Sequence, residues 1–257
     1  MKFFISAISD AGIKKPINQD SIFAEHYQTE IGEVTFAVVC DGMGGLQYGE
    51  VASAALISAL SNWAHTSLPT LCTHPVIDHD IRTAWTNIVS TVNREIMQMG
   101  DQGGFKIGTT VAALLLTEER YFIMNIGDSR VYEIGEEVHQ LTTDHTVIED
   151  EIRLGNMTRE QAETAPMKSV LTRCVGIEPT VYPDLYFGEP VKNTVYMLCS
   201  DGFRHHISTE EMRQYLLPLD CENAAERKLQ EGTKSLVELN KSRGETDNIS
   251  AISILVY

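Results

Sequence analysis

Apolar positions in this chain keep two rhythms, a period of two and a period near 3.6, and the switches between them mark out the elements. Residues 3–9 alternate, and residues 21–25 do so briefly; both predict strands. Residues 34–40 are apolar except at Thr35, as in a strand buried on both faces. Ala52, Ala55, Leu56, Ala59, Leu60 and Trp63 then recur at helical spacing and predict an amphipathic helix over residues 50–64. A loop over 69–75 leads to a second long helix over 78–99, with Ile81, Trp85, Ile88, Val92 and Ile96 on one stripe. Asp78 or Asp80 is expected to cap it, and residues 100–104 end it with glycine turn chemistry.

Strands follow over 109–116, 121–126 and 131–134, and their short polar breaks predict an antiparallel meander. Residues 141–175 change character. They are polar and weakly periodic, with short helical pieces at 147–154 and 158–163, and they read as a flap subdomain inserted between strands. Strand patterns resume at 181–187 and 194–200, helices at 209–217 and 223–240, and a last strand at 249–257. Strands grouped with pairs of helices, without repeat or linker, predict one α+β domain over residues 1–257 with packed antiparallel sheets.

A chain of 257 residues, 43% hydrophobic, has ample length for a core. No apolar run is long enough to cross a bilayer, and the N-terminus reads as a first strand rather than a signal peptide. Five scattered cysteines form no CxxC pair. Cys40 and Cys199 sit in apolar runs and read as small buried hydrophobes, consistent with a reducing, cytoplasmic location. The net charge of −16 argues against a nucleic-acid surface. It serves solubility, or it reflects acids clustered to hold cations; composition does not separate the two.

Candidate chemistry centres on VVCDGMGG at residues 38–45. Asp41 ends the buried strand, where a carboxylate is costly unless a cation offsets its desolvation. Gly42, Gly44 and Gly45 follow and open the backbone to close approach. An ordinary Gly-rich turn with a solvated Asp is the bland alternative. Asp20, Asp41, Asp201 and Asp247 all fall at predicted strand–turn junctions, and hard divalent cations such as Mg²⁺ or Mn²⁺ take such oxygen ligands. Spacing alone does not bring these acids together.

A series of motifs, in order, supplies the missing link. They are GIKKPINQD at 12–20, DGMGG at 41–45 with Gly49, Glu50 and Ala52 opening a helix, GTT at 108–110 and GDSR at 127–130. LTTDH at 141–145, LTR at 171–173, SDG at 200–202 and DNIS at 247–250 complete the series. This set, spanning nearly the whole chain, resembles the metal-dependent serine/threonine protein phosphatases of the PP2C (PPM) family in bacterial form. The resemblance implies a four-layer αββα sandwich, two antiparallel sheets flanked by helix pairs. It implies that Asp41 bridges two Mn²⁺ or Mg²⁺ ions and that the Gly42 carbonyl joins one of them. Asp201 and Asp247 would ligate an ion, Asp20 would support the site through a bound water, and Asp128 with Asp201 would hold a weaker third ion. A water activated by two cations would attack phosphorus in line, with no Ser or Cys nucleophile.

Departures from the family pattern bear on activity. The family's phosphate-binding Arg falls on Lys15, beside Lys14; lysine keeps the charge but loses the bidentate fork. Gln19 replaces a Glu, Met43 stands where some members have a His, and His205 stands where an Asp contributes to the third ion. His145 reads as support for the flap's turn, and Trp63 and Trp85 as core. The expected function is hydrolysis of phosphoserine and phosphothreonine in phosphoproteins, opposing a Ser/Thr kinase, with no nucleic-acid or membrane partner. A catalytically weak or silent binding module of the same fold is the alternative. A two-metal nuclease fits the acidic charge poorly.

Overall fold

The computed structural model describes residues 1–43, 48–163, 165, 167, 169–217 and 222–257. In chain order, β1 (Phe3–Asp10), β2 (Asp20–Thr29) and β3 (Gly32–Met43) lead to α1 (Gly49–Thr66), α2 (Leu68–Leu71) and α3 (Asp78–Gly103). Next come β4 (Gly108–Thr109), β5 (Val111–Leu116), β6 (Tyr121–Ile126), β7 (Arg130–Ile134) and β8 (Val138–Gln140). α4 (Val147–Arg153) and α5 (Arg159–Glu163) precede β9 (Asp184–Gly188) and β10 (Thr194–Cys199). α6 (Asp201–Arg204), α7 (Thr209–Leu216), α8 (Glu222–Ser242) and β11 (Ile249–Val256) complete the described elements.

Two antiparallel sheets stack face to face. One has the order β1-β11-β10-β7-β8, the other β2-β3-β5-β6-β9 with β4 paired to the end of β3. The alternation along β3 shows the layering. Val34, Phe36, Val38 and Cys40 pack toward α1 and α3, while Ala37 and Val39 join a separate core between the sheets. β10 divides in the same way. Val195, Met197 and Cys199 face α7 and α8, and Tyr196 and Leu198 face the other sheet. Both helix pairs use their apolar stripes to cover a sheet, which yields the expected α+β sandwich. Trp63 and Trp85 meet edge to face over Phe36 in the first helix layer.

Several sequence expectations are corrected. The meander stops at β6. β7 pairs with β10 in the opposite sheet, because the chain turns at Gly127 with φ +100° and a Cβ there would sit 2.5 Å from the Thr110 side chain. Neither aspartate caps α3. Its N-cap is Ile77 with no side-chain bond, while Asp78 pairs with Arg120 at 2.7 Å and lies in the first turn, where its charge suits the helix dipole. α2 occupies part of the predicted loop, and the polar β8 and the four-residue α6 carry no periodic signal. β9 starts at Asp184, just after Pro183, not at 181. Among the described residues no helix is long and apolar enough to cross a membrane.

Candidate metal centre

The acids flagged by their positions at strand ends come together at one edge of the sandwich. Asp20 and Asp41 are direct cross-strand partners in β2 and β3. Asp201 follows β10, Asp247 precedes β11, and Asp128 lies at the crossing between β6 and β7. A cavity of about 450 Å³ is lined by Lys15, Asp41, Gly42, Asp128, Asp201 and Asp247. Asp20 sits behind Asp41 and is buried.

Local structure fixes each group. Asp41 donates its N–H to Thr110 Oγ1 at 3.0 Å, and its carbonyl accepts from Thr110 N at 2.9 Å and Thr109 Oγ1 at 3.0 Å. The GTT motif therefore holds the backbone of the aspartate. Gly42 must be glycine, because a Cβ would stand 2.2 Å from the Gly49 carbonyl and 2.5 Å from that of Gln19. α6 presents Asp201, and α8 holds α6 through Asn240 Nδ2, which donates to the carbonyls of Gly202 and Phe203. Buried Glu245 accepts from the Asp247 N–H at 2.7 Å. Asn248 Oδ1 accepts from Gln19 N, and its Nδ2 donates to Ala11 O and Ile17 O, so one side chain clamps the loop that carries Lys15.

Electrostatics favour a cation here. Burial, then the carboxylates of Asp20, Asp201, Asp128 and Asp247, push the Asp41 acid well above the usual carboxylate range. Burial pushes Asp20 up to about 7 against the hydrogen bonds of Ser250 and Ser200, and Asp201 and Asp247 add to the rise. Asp128 also rises to about 7, from burial and Asp201, although Arg204 and Arg130 pull it down. Asp20 Oδ2 accepts from Ser200 Oγ at 2.9 Å, whereas its buried Oδ1 has no partner. Among the described residues no three carboxylate, imidazole or thiolate groups converge into a closed cage. The donor chemistry still fits hard divalent ions. Several carboxylates and Gly42 line one cavity, with the orphaned buried Asp20 oxygen behind Asp41, and such ions complete their shell with waters.

Lys15 reaches the cavity, but its ammonium pairs with Asp247 Oδ1 at 2.9 Å. Burial works against its charge, and Asp247, with Asp41 and Asp201 behind it, outweighs burial and raises its pKa. Gln19 also lines the cavity, and its Nε2 donates to Glu50 Oε2 at 3.3 Å. Met43 lines the cavity, and Gly44 and Gly45 lie outside the described residues. His145 Nδ1 accepts from Gly127 N at 3.0 Å, which leaves Nε2–H to donate to Asp184. This histidine therefore props the β6–β7 crossing. Burial, then Arg173, hold its pKa low despite Asp184. Arg130 grips Asp144 with Nε at 2.8 Å and Nη2 at 2.7 Å. His205 Nδ1 meets Glu245 Oε2 at 3.0 Å, and its Nε2 stands 3.5 Å from Asp201. Sequence reasoning missed Glu245, Arg204 and the clamp role of Asn248. Only Asn248 had a signal, its place beside Asp247.

A family model described as protein phosphatase 2C matches residues 13–239. Protein phosphatase PhpP of Streptococcus pneumoniae is 31% identical over 251 residues, covering 96% of this chain and 94% of that protein. The S. agalactiae serine/threonine phosphatase superposes with a TM-score of 0.86 at 27% identity, over 100% of both chains. The catalytic domain of the serine/threonine protein phosphatase PstP, solved in complex with 2 manganese ions, gives a TM-score of 0.79 at 28% identity over 99% of each chain. With its sandwich, its edge cluster of aspartates and its motifs in series, the chain belongs to the PP2C family of metal-dependent serine/threonine protein phosphatases.

Proposed function

We propose that the chain hydrolyses phosphoserine and phosphothreonine in phosphoproteins at the cavity lined by Asp41, Asp201 and Asp247, opposing a Ser/Thr kinase. The carrying observation is the convergence of Asp41, Asp128, Asp201 and Asp247 on one cavity with buried Asp20 paired across from Asp41, a concentration of negative charge that bound cations offset. Asp41, the Gly42 carbonyl, Asp201 and Asp247 would hold two Mn²⁺ or Mg²⁺ ions, with Asp20 supporting them from behind. Such a pair supplies an activated water and charge stabilisation for in-line attack at phosphorus. The protein's own groups do the rest. Lys15, delivered by the loop that Asn248 clamps, offers its ammonium to the phosphate and exchanges partners with Asp247 as it does so. Thr109 and Thr110 keep Asp41 from moving under the load of charge. Cys174 also lines the cavity, but burial raises its thiol to about 11, so it remains protonated near neutrality and makes a poor nucleophile. The segment 141–175, tied at its ends by the Thr109–Val175 and Thr146–Leu171 bridges, serves as a flap over the cavity.

The test is turnover of a phosphothreonine peptide by chelator-stripped protein, before and after Mn²⁺ is added. Activity should vanish and return with the ion. Asp41→Asn should cost at least about 100-fold, since even supporting groups around a metal cost 10–100-fold. Full activity without metal contradicts the proposal. Tight peptide binding without turnover under any ion favours the silent binding module.

A further inference from the structure

We propose that Arg204 is a resident cation for Asp128, fixed where a third metal ion would sit, so that this chain carries an inner pair of ion positions and no third. The inference rests on the inner-site reading above. Arg204 Nη2 donates to Asp128 Oδ2 at 3.1 Å and to the Asp128 carbonyl at 3.2 Å. Both oxygens are hard donors of the kind a divalent ion takes, and one nitrogen engages both. Asp144 lies 3.6 Å from the same nitrogen but is already gripped by Arg130. The arginine is no passing surface chain. Its side chain is 16% exposed and that of Asp128 8%. Its base is α6, anchored by buried Phe203 and by Asn240 of α8. His205, the next residue, sets Nδ1 against Glu245 at 3.0 Å and Nε2 3.5 Å from Asp201.

The exclusion follows from chemistry. A lysine or histidine can yield to an incoming ion by losing a proton; a guanidinium stays charged. A divalent ion at Asp128 would have to expel a half-sheltered cation from its only two Asp128 acceptors. Arg204 supplies charge and hydrogen bonds but no Lewis acidity. It therefore acts as a positioning residue, holding Asp128 at the rim of the inner site. The expectation of a third ion on Asp128 and Asp201 is replaced accordingly.

Isothermal titration calorimetry with equilibrium dialysis in Mn²⁺ would count the ions bound by the wild type, Arg204→Gln, Arg204→Lys and Arg204→Gln/Asp128→Asn. The wild type should stop at two ions per chain. Arg204→Gln should add a weaker third, Arg204→Lys should admit one as well because its ammonium can yield a proton, and the double variant should return to two. Thermal melts confirm that each variant is folded, and a wild-type count against Asp128→Asn alone keeps the test decisive if Arg204→Gln is not. A third wild-type ion lost with Asp128→Asn overturns the proposal while sparing the inner site. So does a folded Arg204→Gln that still stops at two. Fewer than two ions in the wild type overturns the inner-site reading, and this inference falls with it.

Discussion

Single residues carry most of the site's logic, and they were unevenly legible. Asp20, Asp41, Asp201 and Asp247 could be read because each falls at a strand–turn junction within a motif of the family series, while spacing alone did not join them. Glu245 could not, since an acid after a helix is ordinary until the fold buries it beneath Asp247. Lys15 was legible as a cation near phosphate, but its partner, Asp247, was not. Lys15→Ala should raise KM by about 10-fold with a smaller change in kcat, the loss expected when a charge-assisted hydrogen bond to bound substrate disappears. Lys15→Arg should restore it. Steady-state kinetics on a phosphopeptide would check both, and an unmoved KM in the alanine variant would reduce Lys15 to a partner of Asp247.

At the scale of elements, length and periodicity decided what could be foreseen. α1, α3, β3 and β5 announce themselves through unbroken stripes or runs. β7 was recognisable as a strand, but alternation does not say which sheet receives it; the turn at Gly127 does. α6, at four residues, is too short for any pattern, yet it presents Asp201 and Arg204. Its position depends on α8 through Asn240. Asn240→Ala would leave the carbonyls of Gly202 and Phe203 buried without that donor, at a cost of about 1–3 kcal/mol. It should also weaken Mn²⁺ binding by about 10-fold or more, as loss of supporting groups does elsewhere. Thermal melts and ion titrations on the same variant would separate the two effects; a lower melting point with unchanged ion affinity would show that α6 does not need this anchor to place Asp201.

The whole molecule gathers negative charge at one edge and relies on ions to tolerate it. In the ion-free protein, Asp20 and Asp128 titrate near 7 when folded and near 3.8 when unfolded. The folded state therefore holds more protons between those values, and its stability falls as pH rises from about 4 toward 7. Asp41 acts in the same direction. His145, held low, acts in the opposite direction, as do the lowered acids Asp10, Glu25, Asp184, Glu210 and Glu211 at the acid end of the range. Chelated protein should thus melt several degrees higher at pH 5 than at pH 8, and Mn²⁺ should erase or reverse the difference. A melting temperature that rises with pH in chelator would contradict the clustered-acid picture. The central claim, that this edge is a two-ion centre, is tested most directly by a crystal grown in Mn²⁺ and measured for anomalous scattering. The account predicts two strong peaks within bonding distance of oxygens of Asp41, the Gly42 carbonyl, Asp201 and Asp247, and none on Asp128. No peak at Asp41 at saturating Mn²⁺ would contradict it.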